Sequence, residues 1–155
     1  MFAVPPNTVA SPAALAAAHP VRIATDYARD RSRWAKLLRY DPDDRFTALI
    51  EANAHVEVWL LSWLPGQHTD LHDHGGAAGA FTVVSGTLSE RVRRPGRVEL
   101  AHELRAGQSR AFGPNYVHQV RNESVDPAVS IHVYQPYRAM TYYRDDAADQ
   151  VGTDR

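Results

Sequence analysis

The sequence predicts a mainly β chain, one small antiparallel barrel or sandwich with one or two short helices at its N-terminal end. Two observations carry this. Residues 56–63, 80–85, 88–92, 98–104, 117–121 and 129–134 are short runs rich in β-branched or aromatic side chains, the composition that fits a pleated surface. Between them stand Pro65-Gly66, Gly75-Gly76, Ser85-Gly86, Pro95-Gly96, Ala106-Gly107 and Asp126-Pro127, pairs that set or permit the dihedrals of tight turns. Many short strands joined by tight turns fold as antiparallel sheets. A length of 155 residues suits one domain, since single domains run to roughly 100–200 residues.

The elements follow in order. Ser11 before Pro12 is a helix cap and first-position pair, 13–18 is rich in alanine, and Pro20 is expected to end that run. A second short helix is expected over 23–29. A strand is expected over 46–50, and from Trp34 onward the texture is that of strands and turns. The expected organisation is a helical segment over 1–30, a barrel over 31–143 and a tail over 144–155. The tail is acidic, small and polar, so it is expected to fray unless a partner orders it.

Seventeen basic residues against 18 acidic ones, with no long run of either sign, leave no electrostatic footprint for nucleic acid or an anionic membrane. A small molecule is the expected partner. Cysteine is absent, which excludes disulfides, thiolate metal sites and cysteine nucleophiles; a metal would sit on His, Asp, Glu or water. No window reaches the roughly 18 apolar residues of a membrane span, and the alanine-rich start lacks the basic and apolar segments of a signal peptide. A cytoplasmic protein, monomeric or a small homo-oligomer, is the expectation.

Eight histidines are present, and their spacing is informative. In His72-Asp73-His74 an extended backbone would send both imidazoles to one face and Asp73 to the other. Gly66 precedes the pair, Gly79 and Gly86 follow it, and Pro114, His118 and Asn122 stand four residues apart from one another further on. These two blocks resemble the paired motifs of the cupin superfamily, a small antiparallel jelly-roll β-barrel. The resemblance implies His118 as a third ligand beside His72 and His74. Many cupins carry a glutamate after the His-x-His pair, whereas residues 75–79 here hold no carboxylate, which argues for a three-histidine site. Three neutral imidazoles suit Fe(II), and also Zn, Ni or Cu; the competing reading is three core histidines bonded to the backbone.

Ser130-Ile131-His132-Val133-Tyr134 is the second informative string, because on a strand its three polar side chains share a face. A hydrogen-bonded row that positions a phenol is one reading, and a solvated outer face is the other. Taken with the histidine blocks, the string resembles the cysteine dioxygenase family of thiol dioxygenases over about residues 40–134. That resemblance implies iron on His72, His74 and His118, dioxygen as co-substrate, a small thiol converted to its sulfinate, and Ser130, His132 and Tyr134 as an outer relay. Two departures stand out. Animal members cross-link a cysteine to the active-site tyrosine, and the matching position here is Gly79. Members also grip the substrate carboxylate with an arginine, for which Arg45 is the candidate, although Asp43-Asp44-Arg45 replaces their Tyr-x-Arg. A surface role for Arg45, paired with Asp41, Asp43 or Asp44, is the alternative.

The remaining candidates are expected to be structural: His68 in a loop near the site mouth, His19, His55 and His102 in solvent, and Trp59 and Trp63 in the core. The expected activity is dioxygenation of a small thiol on Fe(II), with L-cysteine first among substrates. The rivals are 3-mercaptopropionate, cysteamine or a larger thiol or thione, a cupin that binds without turnover, and a Zn or Ni cupin doing isomerisation or hydrolysis.

Overall fold

A computed structural model describes residues 18–135, 138–143 and 150–154. Residues 11–17 of the first expected helix lie outside it. Pro20 begins a helix. Helix α1 runs over Pro20–Arg29, because proline's fixed φ suits the first helical position and its missing N–H is no loss there. His19 caps it, its Nδ1 accepting from the Val21 N–H at 3.2 Å. Two short 3-10 turns, Arg31–Arg33 and Ala35–Leu37, follow.

Eleven strands are formed among the described residues: β1 Phe46–Ala52, β2 Glu57–Trp63, β3 Leu71–Asp73, β4 Ala78–Ser85, β5 Thr87–Arg94, β6 Arg97–Arg105, β7 Ser109–Phe112, β8 His118–Arg121, β9 Ala128–Gln135, β10 Met140–Tyr143 and β11 Gln150–Asp154. They make two antiparallel sheets, ordered β1-β2-β9-β4-β7 and β11-β10-β3-β8-β5-β6. The expected runs correspond to β2, β4, β5, β6, β8 and β9. Strands β7, β10 and β11 were not expected, being short or polar, and they form where a neighbour's edge offers backbone partners. Strand β11 lies in the tail that was expected to fray, and pairs with β10 from Met140↔Asp154 to Tyr143↔Gln150.

Two hydrophobic clusters hold the sheets. Leu61, Trp63, Phe81 and Val83 of the first sheet meet Leu88, Leu104 and Val120 of the second. On the other face of the first sheet, Val58, Leu60, Ile131 and Val133 pack against Ile23, Ala24 and Tyr27 of α1 and against Trp34. Burying each such large side chain stabilises the fold by about 1.5–3 kcal/mol. Strands β2 and β9 are thus buried on both faces, so the alternation of their sequences separates a helix-facing side from a sheet-facing side. The row Ser130, His132, Tyr134 looks inward, at 0%, 4% and 6% exposure, which removes the solvated-face reading. No helix among the described residues is long and apolar enough to cross a membrane.

Candidate metal centre

Strand β3 places the first histidine, and its register places the third. His72 lies directly across from His118 in the β3–β8 ladder and from Tyr142 in the β3–β10 ladder. His74 stands just past the end of β3, where Asp73 turns the other way: its carboxylate accepts from the Gly75 N–H at 2.9 Å and the Tyr143 hydroxyl at 2.7 Å. That grip fixes the turn that carries His74. The three imidazoles are 2–3% exposed, and each offers a ring nitrogen within 4.8 Å of the others.

The nitrogens are prepared as ligands. His72 Nδ1 donates to the Asp70 carbonyl at 2.6 Å and His118 Nδ1 to the Glu90 carboxylate at 2.9 Å, so each presents an Nε2 lone pair. His72 Nε2 and His74 Nε2 are 3.1 Å apart, the spacing of two nitrogens each about 2.0–2.1 Å from a shared ion. His118 Nε2 and His74 Nδ1 have no hydrogen-bond partner among the described residues. Burial, then the charge of His118, pushes His72 down to about 3, and burial holds His74 far below the usual imidazole range. Neutral imidazoles are what a metal needs. The donor set therefore fits a first-row ion.

Glu90 was missed in the sequence. It is 0% exposed and also accepts from Arg110 Nε at 3.0 Å and the Tyr116 hydroxyl at 3.2 Å, with His102 Nε2 at 3.8 Å. Burial alone would raise its pKa, but the His118 hydrogen bond and the Arg110 charge outweigh that and hold it below the carboxylate range. A carboxylate behind a ligand histidine fixes its tautomer and orientation. No local signal in the sequence marks it: the β5–β8 ladder, which sets Glu90 across from Val120 and Val92 across from His118, brings the carboxylate to the ring. His102, expected in solvent, is drawn half-buried toward it.

The inward row of β9 is joined from β2 by Trp63, whose Nε1 donates to Ser130 Oγ at 2.9 Å; Ser130 Oγ is 2.8 Å from His132 Nε2. This order puts the proton of neutral His132 on Nδ1, and burial keeps that ring neutral. His132 and Tyr134, both described, are not hydrogen-bonded to each other, so the row joins Ser130 to His132 and stops short of the phenol. Tyr134 instead lies against the cluster, its ring 4.8 Å from that of His74, and burial pushes its phenol up to about 12. It also lines a cavity of about 410 Å³ with Arg45, Glu57, Trp59, Arg138 and Tyr142. Arg45 donates through Nη1 to the His68 carbonyl at 3.3 Å and lies 3.7 Å from Asp44, while its buried Nε has no partner among the described residues.

The family model described as cysteine dioxygenase type I matches residues 12–145. The chain belongs to that family. Human cysteine dioxygenase type 1 and its Pongo abelii counterpart are each 27% identical over 126 residues, covering 71% of this chain and 60% of theirs; the chain thus spans about 60% of the length of those relatives. Among solved structures, a Thermus thermophilus protein aligns with TM-score 0.59 and 28% identity over 66% of this chain and 92% of its own. A Klebsiella pneumoniae protein with a double-stranded beta-helix domain aligns with TM-score 0.60 at 20% identity, over 66% and 86% of the two chains. A cupin superfamily protein from Desulfitobacterium hafniense, at 9% identity, TM-score 0.56 and coverage of 66% and 87%, shares the cupin fold.

Within this cysteine dioxygenase family member, Gly79 lies directly across from Tyr134 in the β4–β9 ladder. A Cβ at Gly79 would stand 2.4 Å from the Val133 carbonyl oxygen and 2.7 Å from the Phe112 ring. There is room for hydrogen alone, and with no cysteine in the chain Tyr134 has no thiol of its own chain to cross-link with. Trp63 is core, as expected, while Trp59 is half-buried and lines the cavity. Asn122 of the second histidine block is structural: its side chain donates to the Trp63 and Asp126 carbonyls at 3.0 and 2.8 Å, closing the turn before β9.

Proposed function

We propose that the chain is a metal-dependent thiol dioxygenase that uses Fe(II) held by His72, His74 and His118 to convert a small carboxylate-bearing thiol to its sulfinate, with L-cysteine as the reference substrate. The observation that carries the reading is the convergence of three buried imidazoles beside a cavity that Arg45 and Tyr134 line. When bound, the ferrous ion supplies the redox chemistry and a positive charge that favours thiolate over thiol. In the overall reaction both atoms of O2 join the sulfur, R–SH becoming R–SO2H.

The protein's own residues bind and orient. Arg45 offers an unpaired guanidinium Nε and takes the substrate carboxylate, the planar fork suiting bidentate contact. Tyr134 stays protonated at neutral pH and donates a hydrogen bond toward the reacting oxygen or sulfur. Trp63, Ser130 and His132 form a fixed, neutral wall beside it. Phe81 stacks on His132 at 5.0 Å, with the rings 9° from parallel, which excludes water from that side.

Oxygen uptake by the Fe(II)-loaded protein tests this, with L-cysteine, 3-mercaptopropionate and cysteamine run in parallel and product mass recorded. Uptake with a carboxylate-bearing thiol, a gain of two oxygen atoms, and little with cysteamine are expected. Protein that holds iron and consumes no oxygen with any thiol would instead be a binding cupin.

A further inference from the structure

Six buried side-chain nitrogens and oxygens have no hydrogen-bond partner among the described residues. Two belong to the histidine cluster, and Arg121 Nε sits 3.2 Å from Glu123 as an ion pair. The other three are Arg45 Nε, Glu57 Oε2 and Trp59 Nε1, and all three residues line the same cavity. Unpaired buried polar atoms are rare in folded proteins and call for an explanation. The Arg45 assignment accounts for one of them; Trp59 Nε1 is left over, and Glu57 Oε2 meets the Arg138 guanidinium as an ion pair without a hydrogen bond.

Their arrangement along the wall is ordered. Glu57, Trp59 and Leu61 alternate onto the cavity face of β2, Thr47 lies opposite Leu61, and Phe46 opposite Ser62. Arg45 precedes β1 at the Ser62 end of the β1–β2 pair, whereas Glu57 begins β2 at the Ala52 end, so the two charged side chains enter the cavity from opposite ends of that pair. Trp59 stands between the two ends. Arg138 closes the Glu57 end, its guanidinium 4.6 Å from the Trp59 ring centre and 5.3 Å from that of Tyr134. Its Nε is 3.5 Å from Glu57 Oε2, an ion pair without the alignment of a hydrogen bond, so the oxygen remains able to accept.

We infer that Glu57 and Trp59 form a second subsite that recognises the amino end of a peptide-length thiol, of which L-cysteinylglycine is the smallest. Its carboxylate meets Arg45, its peptide carbonyl accepts from Trp59 Nε1–H, its ammonium donates to Glu57, and its thiol lies between these ends, facing the histidines. The inference rests on the thiol reading above and narrows its substrate class. A cavity of about 410 Å³ lies within the range of roughly 300–1,000 Å³ typical of small-molecule sites, which leaves room for a dipeptide.

The test is anaerobic calorimetry on the Fe(II)-loaded protein, where thiols bind without turnover. L-cysteinylglycine and 3-mercaptopropionylglycine share length, thiol and carboxylate and differ in the ammonium. The first is expected to bind at least about tenfold more tightly, and Glu57→Gln is expected to remove that preference while leaving 3-mercaptopropionylglycine affinity unchanged. Equal affinity of the two in the wild type overturns the subsite, and this comparison needs no variant. If both bind equally while L-cysteine is oxidised, the thiol reading stands and the subsite falls. If no thiol, L-cysteine included, binds the iron-loaded protein, the thiol reading itself falls and takes the subsite with it.

Discussion

Glu90 Oε2 lies 2.9 Å from His118 Nδ1, and both side chains are out of reach of solvent. This carboxylate holds the ring that β8 contributes to the cluster, while Arg110 and Tyr116 hold the carboxylate. Replacing Glu90 with Gln keeps the shape and removes the charge that fixes the tautomer. Metal affinity is expected to fall about 10–100-fold, read by competition against a chelator of known strength. Unchanged affinity would mean that Glu90 serves Arg110 and Tyr116 alone.

Truncating a ligand should have a larger effect. His118→Ala removes one of three nitrogens and leaves Glu90 buried with one donor fewer. Bound iron after reconstitution is expected to drop from about one per chain to a small fraction of that. Iron retained at the wild-type level in a folded variant would defeat the ligand assignment.

Tyr134→Phe isolates the phenol. The ring still packs against His74, so metal content should match the wild type, while kcat falls about 10²-fold if the hydroxyl assists in the transition state. The high phenol pKa, about 12 from burial, predicts no loss of activity from its ionisation below about pH 10. Wild-type turnover in the variant would remove the hydroxyl from the mechanism.

Gly79→Ala should destabilise the fold. The added carbon would meet a strand carbonyl at 2.4 Å, and backbone in a five-stranded sheet gives way poorly. A loss of about 1–3 kcal/mol or more is expected, seen as a lower urea midpoint at constant slope. Stability within about 0.5 kcal/mol of the wild type would show that β4 and β9 separate more easily than their register implies.

Acid should weaken the metal-free protein. His72 has an ordinary value of 6.5 and a folded value of about 3, so between these the unfolded chain binds a proton that the folded one refuses. Stability is therefore present above about pH 6.5 and is lost as pH falls toward 3, at about 1.4 kcal/mol per pH unit for this group. His74 and His132 are shifted in the same direction and steepen the slope. Urea unfolding in chelator between about pH 7.5 and about pH 5 reads it, and a flat profile would contradict the burial of these rings.

Much of the fold was legible because a two-residue period and turn pairs are local signals. The runs that became β2, β4, β5, β6, β8 and β9 are apolar over at least part of their length and bounded by glycine or proline, so neighbours in sequence suffice to identify them. His72 and His74 were legible for the same reason: on an extended backbone, two residues apart means one face. Three histidines of eight were separated from the rest by motif spacing, and the tertiary structure brings those three together.

What stayed hidden depends on pairing between distant segments. Nothing local marks Glu90 as the partner of His118, since 28 residues separate them and only the β5–β8 ladder brings them side by side. The short strands β7, β10 and β11 lack a period long enough to read and exist because an adjacent edge satisfies their backbone. Whether Ser130, His132 and Tyr134 faced water or the interior was undecided by alternation, which defines two faces without saying which is covered. Packing of α1 on the opposite face of β9 turned the row inward. Sequence by itself determined strands, turns and the parity of the candidate ligands, because those follow from dihedrals and spacing; the tertiary structure decided burial, cross-strand partners and the cavity, because those are set by which surfaces meet when apolar area leaves water.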